Sequence, residues 1–233
     1  MPGIKAVLET SFLDWRGRVC AVLFLGGCNF RCPFCHNHSL VLTPGEYETI
    51  SVEAAARQLA PFRKWLGGIC ITGGEPTLDP DLAGMIRFLK DSGWPVKLDT
   101  NGSRPEVLAE LLAAGLLDAV AMDVKAPLDP EKYSGCAGVP VDLGRIRESI
   151  RLLGESGIEH EFRMTVVPRY HTRDDIAAWA AALGPGPAKL TLQNFNPRTT
   201  LDPELGREKG FAAEVFESFR TLVEQAGKNA RLA

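Results

Sequence analysis

The chain has 233 residues, 45% of them hydrophobic, with a formal net charge of −3 and six cysteines. That length allows one large α/β domain or two small ones, with a sizeable core. The charge gives no general attraction for nucleic acid or an anionic membrane, no apolar run is long enough to span a bilayer, and Met1-Pro2-Gly3-Ile4-Lys5 has no signal-peptide pattern. The expectation is a cytoplasmic protein with reduced thiols and neither nucleic acid nor membrane as a partner.

Residues 1–18 read as an extended lead-in with a turn at Arg16-Gly17. A first strand, Arg18 to Leu25, is followed by Gly26-Gly27 and a loop, Cys28-Asn29-Phe30-Arg31-Cys32-Pro33-Phe34-Cys35. Residues 36–50 are polar and irregular, a loop long enough to cover something. Ser51 caps a helix to about Leu66, which Pro61 breaks or bends. The second strand, Gly68 to Thr72, ends in Gly73-Gly74-Glu75-Pro76, and Asp79-Pro80 start a helix to about Ser92 with Gly93 as its stop.

The third strand, Val96 to Thr100, ends in Asn101-Gly102, and Ser103 with Glu106 forms a capping box for a helix to Ala114. The fourth strand is Ala119 to Val124, with Lys125 at its end. A loop with Pro127, Pro130, Gly135 and Gly138 follows, then a helix from about Leu143 to Glu155 that stops at Gly157. The fifth strand is Glu159 to Val167, and Thr172 with Asp175 is a second capping box, for a helix to Leu183. Gly184-Pro185-Gly186-Pro187 reads as a rigid turn, Lys189 to Phe195 as the sixth strand, and about Phe211 to Gln225 as a last amphipathic helix.

Strand and helix alternate six times with short connections, the pattern of a parallel sheet buried on both faces. Six units do not easily close an eight-stranded barrel. The expected fold is therefore α/β, an open (β/α)6 partial TIM barrel, formed by one domain over residues 1–233. In such barrels chemistry gathers at the C-terminal ends of the strands. The cysteine loop, Gly73 to Pro76, Asp99 to Gly102, Asp123 to Lys125 and Gln193 to Pro197 all fall there.

The spacing C-x3-C-x2-C supplies three thiolates. A closed zinc site or an ordinary iron–sulfur cluster takes four protein ligands, so three leave one metal corner open. Zinc with a distant fourth ligand is the alternative, although His36 and His38 lie so close to Cys35 that either would strain a tetrahedron. A disulfide plus a spare thiol would need an oxidising compartment. Cys20 and Cys70 fall in apolar strand patterns as core fillers; Cys136 lies in a Gly-rich loop, at the surface or in a site.

The loop resembles the signature of the radical S-adenosylmethionine family, in which three cysteines hold three irons of a [4Fe–4S] cluster. The fourth iron of that cluster chelates S-adenosylmethionine. Cys-x-x-Cys-His-Asn, here Cys32 to Asn37, further resembles the subgroup that activates glycyl radical enzymes. The resemblance implies an oxygen-sensitive enzyme that takes one electron from flavodoxin or ferredoxin and cleaves S-adenosylmethionine. The resulting radical then acts on a glycine of a partner enzyme. Only three cysteines lie outside the triad, which leaves out a ferredoxin-like insertion and points to the compact activases. Their partners are anaerobic ribonucleoside-triphosphate reductase, the closer resemblance over the whole length, or pyruvate formate-lyase. Chemistry on a small molecule such as a deazapurine precursor is a third possibility, against which His36-Asn37 counts. A metal or redox module without catalysis is a fourth.

The resemblance also implies roles for individual residues. Cys28, Cys32 and Cys35 are the metal ligands. Gly73, Gly74 and Glu75 meet the amino group of S-adenosylmethionine, and alone would read as a strand-to-helix turn. Asp99 and Asn101 offer an acceptor and an amide to the cofactor, although Asn-Gly is also a turn pair. Asp123, Val124 and Lys125 approach the ribose and carboxylate; otherwise Asp123 is a structural ion pair with Lys125 or Arg163. Arg163 faces inward to the carboxylate, or outward to solvent. Phe34 lies near the adenine, or is ordinary loop packing. His36 bonds near a sulfide or the partner, or is an exposed loop histidine. Asn196 stands where activases often place a histidine near the adenosine. His160 and His171 are given no role.

Overall fold

The computed structural model describes residues 3–183 and 188–229; the expected Gly184–Pro187 turn lies outside them. Among the described residues seven strands form one sheet in the order β1-β2-β3-β4-β5-β6-β7, so neighbours in sequence are neighbours in the sheet and β1 and β7 are its two edges. The strands are β1 (Ile4–Ser11), β2 (Cys20–Leu25), β3 (Gly68–Gly73), β4 (Val96–Thr100), β5 (Ala119–Asp123), β6 (Glu159–Val166) and β7 (Lys189–Asn194). The helices are α1 (His38–Leu42), α2 (Val52–Leu59), α3 (Leu82–Asp91), α4 (Pro105–Ala113), α5 (Pro130–Ala137), α6 (Leu143–Ser156), α7 (Arg173–Leu183) and α8 (Ala213–Asn229). This is the expected open α/β partial barrel with one strand added at its start. Among the described residues, no helix is long and apolar enough to cross a membrane.

The chain divides into two compact units. One comprises Met1–Asn29, Asn37–Thr100 and Glu106–Ala121; the other comprises Phe30–His36, Asn101–Pro105 and Met122–Ala233.

In the first unit β2 pairs parallel with β3, and β3 parallel with β4. The expected lead-in is instead a strand: β1 pairs antiparallel with β2, with register shifts between Ile4 and Ala6 and between Leu8 and Ser11. Only part of β1 is buried, so its apolar alternation is weak, as suits an edge. The turn after it plants Trp15, 1% exposed, against Cys20, Val22, Cys70 and Ala119. Gly68 makes room for that indole, since a Cβ there would lie 2.6 Å from Trp15 Cζ3. Cys20 and Cys70 are core residues, as expected. The helix after Ser51 is shorter than expected: α2 stops at Leu59, and a 3-10 turn over Ala60–Phe62 takes in Pro61. The expected irregular stretch 36–50 contains α1 and a 3-10 turn at Pro44–Glu46.

In the second unit β6 and β7 are parallel. His160, Phe162, Met164 and Val166 of β6 are buried and alternate with the less buried Glu161, Arg163 and Thr165, the period of two that sends successive side chains to opposite faces. The Thr172–Asp175 capping box forms: Asp175 accepts from the Thr172 N–H at 2.9 Å, and Thr172 Oγ1 accepts from the Asp175 N–H at 3.3 Å. The loop expected after the fourth strand contains α5. Asp129 caps it, accepting from the Glu131 and Lys132 N–H groups at 3.1 and 3.0 Å. Pro130 sits at its first position, and Gly138 ends it in the left-handed conformation.

Candidate active site

In the first unit the turns that leave β2 and β3 are laced together by their backbones. The Gly74 N–H donates to the Leu25 carbonyl and the Glu75 N–H to the Gly27 carbonyl, each at 2.8 Å. The segments approach so closely that a Cβ on Gly74 would lie 2.6 Å from the Gly27 carbonyl carbon. Gly73 holds φ at +117°, open to glycine alone at low cost. Asn37, two residues after Cys35, donates its side-chain amide to the Gly73 carbonyl at 2.9 Å. Glu75 is 1% exposed. Its Oε1 accepts from the Thr77 N–H, the Thr77 hydroxyl and the Thr100 hydroxyl at 3.1, 2.5 and 2.6 Å. Asp99 accepts from Lys97 Nζ at 2.7 Å, and both side chains are buried. Lys97 also donates to the Asp14 carbonyl at 2.7 Å, a polar tie between β4 and the turn after β1.

The second unit carries Cys32 and Cys35 in one tight turn, the Cys35 N–H donating to the Cys32 carbonyl at 3.0 Å. Two segments of this unit hold that turn. The Arg31 N–H donates to the Ala137 carbonyl at the end of α5, and the Asp202 N–H to the Pro33 carbonyl, each at 2.8 Å. His36 Nε2 donates to the Asn196 carbonyl at 2.9 Å, which brings those two expected site residues together. The Asn196 side chain itself accepts from the Arg198 N–H at 3.1 Å. Phe34 is buried, its ring centroid 6.1 Å from that of Tyr170. Asn101 Oδ1 accepts from the Ser103 N–H at 2.9 Å, the turn chemistry that was its alternative.

Asp123, Val124, Lys125 and Arg163 also converge here. Arg163 Nε and Lys125 Nζ each donate to a different oxygen of Asp123 at 2.9 Å. Burial alone would raise the Asp123 pKa, but Arg163 and Lys125 together hold it well below the usual carboxylate range. Arg163 is therefore paired within the unit rather than solvated, and Lys125 shares the same carboxylate. Val124 donates its N–H to the Arg163 carbonyl at 2.9 Å and accepts from Trp179 Nε1 at 3.0 Å. The Lys125 carbonyl accepts from His171 Nε2 at 2.9 Å, while His171 Nδ1 accepts from the Val167 N–H at 3.0 Å. Those partners fix the tautomer with hydrogen on Nε2, and burial lowers the His171 pKa. Cys136 is buried rather than at the surface, its Sγ 3.6 Å from His171 Nε2.

Burial pushes the Cys32 thiol up to about 11, against the pull of Lys125. All six cysteines are free. Among the described residues no three His, Cys, Asp or Glu side chains are already drawn together as a metal-holding group. The loop instead offers three soft, unoxidised donors. That donor set fits an iron–sulfur cluster better than the harder metals, while the missing Cβ atoms of Gly73 and Gly74 make room for the Leu25 and Gly27 backbone.

The family model of the radical SAM superfamily matches residues 22–183. The chain belongs to that superfamily, whose members use a [4Fe–4S] cluster and S-adenosylmethionine. Over 86% of its length it is 33% identical to a Methanocaldococcus jannaschii protein, MJ1227, provisionally described as a glycyl-radical enzyme activating enzyme, and it spans 83% of that protein. Within the superfamily it is therefore an enzyme of the glycyl-radical activating type. It is 30% identical over 164 residues to the pyruvate formate-lyase 1-activating enzyme of Escherichia coli K12, covering 67% of this chain and 64% of that one. Among solved structures, Streptococcus suis SuiB bound to its precursor peptide superposes with a TM-score of 0.65 at 14% identity over 85% of this chain. The chain spans 43% of SuiB, and that likeness is one of fold.

Four groups in these surroundings were not expected from the sequence: Asn37 on the Gly73 carbonyl, Trp179 on the Val124 carbonyl, His171 on the Lys125 carbonyl and Tyr133 in α5. Asn37 ends the Cys32–Asn37 motif, and α5 had a local signal in Asp129-Pro130 at its start and Gly138 at its end.

Proposed function

We propose that the chain activates an anaerobic ribonucleoside-triphosphate reductase by generating a radical on one of its glycines, with flavodoxin or ferredoxin as electron donor. The carrying observation is the match to a glycyl-radical activating relative along 86% of the chain, joined to a triad flanked by no further cysteine-rich segment. The three remaining cysteines are free and buried in the fold, two of them in one core cluster, which leaves no ferredoxin-like insertion and favours a compact activase. Pyruvate formate-lyase is the second reading, favoured by the similarity to its activating enzyme from Escherichia coli.

When bound, the cluster and S-adenosylmethionine supply the one-electron radical chemistry. The protein binds, orients and keeps out water. Cys28, Cys32 and Cys35 hold the irons. The Gly73–Gly74 backbone lies along the amino-acid end of S-adenosylmethionine, and Glu75, steadied by Thr77 and Thr100, offers its charge to the ammonium. Lys125 and Arg163, both held by Asp123, offer their donors to the carboxylate, while Asp123 and Val124 line the ribose. Phe34 closes the adenine side, with His36 and Asn196 bracing the cysteine turn from β7. Asp99 acts through Lys97, and Asn101 shapes the turn after β4.

The test begins with anaerobic reconstitution with iron and sulfide. Dithionite and S-adenosylmethionine are then added and 5′-deoxyadenosine is measured. Cys32→Ala should abolish the product, and continued turnover would refute the metal assignment. Incubation with each candidate reductase and lyase, followed by electron paramagnetic resonance, should give a glycine-centred signal with the reductase; a signal on the lyase alone would select the second reading.

A further inference from the structure

α5 meets the cysteine turn end-on. Its Ala137 carbonyl accepts from the Arg31 N–H at 2.8 Å, next to Cys32 in sequence. One helical turn earlier on the same face is Tyr133, three and four residues before Cys136 and Ala137. All three are buried, and Tyr133 is 0% exposed.

The Tyr133 hydroxyl has no hydrogen-bond partner among the described residues. A buried hydroxyl left unmatched costs stability that phenylalanine in the same space would not. Lys125, Asp123 and the Cys32 sulfur lie near enough to act on it. The Lys125 backbone amide is near enough to the oxygen to draw the phenol pKa down. A phenol is protonated at neutral pH, so its hydroxyl stands beside the cysteine turn as a donor with no acceptor among the described residues.

An acceptor arises there when the loop is loaded. Metal ligation removes the thiol proton, and a buried anionic sulfur is costly without a donor. Within the unit Cys136 lies against His171, and Lys125 is held by Asp123. We propose that Tyr133 is a positioning residue for the cluster, its hydroxyl donating a hydrogen bond to the Cys32 sulfur once that sulfur ligates iron. The inference rests on the cluster assignment of the loop. A donor at a ligand sulfur favours the more negatively charged, reduced state, and so raises the reduction potential. Tyr133 thereby eases electron entry from a donor protein without touching S-adenosylmethionine.

The experiment compares the reconstituted wild-type protein with Tyr133→Phe and with 3-fluorotyrosine incorporated at position 133. Fluorination leaves the ring shape nearly unchanged and strengthens the phenol as a donor. Potentials are read by redox titration followed by electron paramagnetic resonance, with iron content and apo-protein melting temperature measured alongside. Tyr133→Phe should load the same iron, melt no lower as apo-protein, and titrate at a more negative potential; the fluorinated protein should titrate at a more positive one. Unchanged potentials, or shifts of the same sign in both proteins, would overturn the proposal. A wild-type protein that takes up no four-iron cluster would overturn the underlying cluster assignment instead, and the two failures are distinguished by the wild-type iron content.

Discussion

Gly138→Ala probes how closely α5 is fitted to the cysteine turn. Gly138 has φ +69° and ψ 11°, and a residue with a Cβ in that left-handed conformation costs about 1–2 kcal/mol. The added Cβ would lie 2.6 Å from the Arg31 carbonyl carbon, where ordinary contact begins at 3.4 Å. Arg31 must retreat, yet its N–H is tied to the Ala137 carbonyl at 2.8 Å. Losing that bond adds about 1 kcal/mol, for a total of about 2–3 kcal/mol. Gly157, which ends α6, supplies the control. It has nearly the same backbone, φ +72° and ψ −2°, but nothing lies within 4 Å of its Cβ position.

Gly157→Ala should therefore cost only the conformational part, about 1–2 kcal/mol, and should load iron normally. Gly138→Ala should cost about 1 kcal/mol more and load less iron, because the displaced residue adjoins Cys32. Urea unfolding of the two apo-proteins gives the first comparison, and iron content after anaerobic reconstitution gives the second. Equal stability losses with full iron in both variants would refute the claim that α5 buttresses the turn.

Asp129→Ala removes the cap of α5 and should cost about 1 kcal/mol, visible as a lower urea midpoint; an unchanged midpoint would mean the cap bonds are replaced by water. Glu75→Gln keeps an acceptor for Thr77 and Thr100 but removes the charge. It should lower stability by roughly 1 kcal/mol and weaken S-adenosylmethionine binding by equilibrium dialysis; wild-type binding would exclude Glu75 as the ammonium partner. Burial lowers the His171 pKa, so below its unfolded value of about 6.5 the unfolded chain takes up a proton that the folded chain refuses. Stability present at pH 7 should then fall as pH drops through 6.5 toward the folded value. His171→Asn should flatten that fall between pH 7 and pH 5, and identical slopes in wild type and variant would exclude His171 as a contributor.

The alternation of β-branched, buried strands with capped helices was legible because each strand must present apolar atoms on both faces. The Thr172–Asp175 box could be recognised because capping is local. β1 was harder to recognise, since an edge strand buries only part of its length and its pairing shifts register twice. α5 was missed for a different reason. Gly135 and two prolines argued for a loop, whereas Pro130 and Gly138 are the opening and closing residues of a short helix.

The same contrast separates the parts of the site. A motif at a strand end is covalently continuous with the strand, so the βα order alone delivers Cys28, Gly73, Asp123 and Asn196 to strand termini. The groups that hold those termini come from the crossovers. His171 reaches the Lys125 carbonyl across 46 residues of sequence, and Trp179 reaches the Val124 carbonyl across 55. Neither contact imposes a periodicity or spacing on the chain, because one ring nitrogen aimed at one carbonyl can be supplied from any neighbouring segment of suitable reach. Tyr133 is the extreme case. It lies in a helix hidden by its glycines, and its hydroxyl has no hydrogen-bond partner among the described residues. Three-dimensional accounting of every buried donor is what brings such a residue to light.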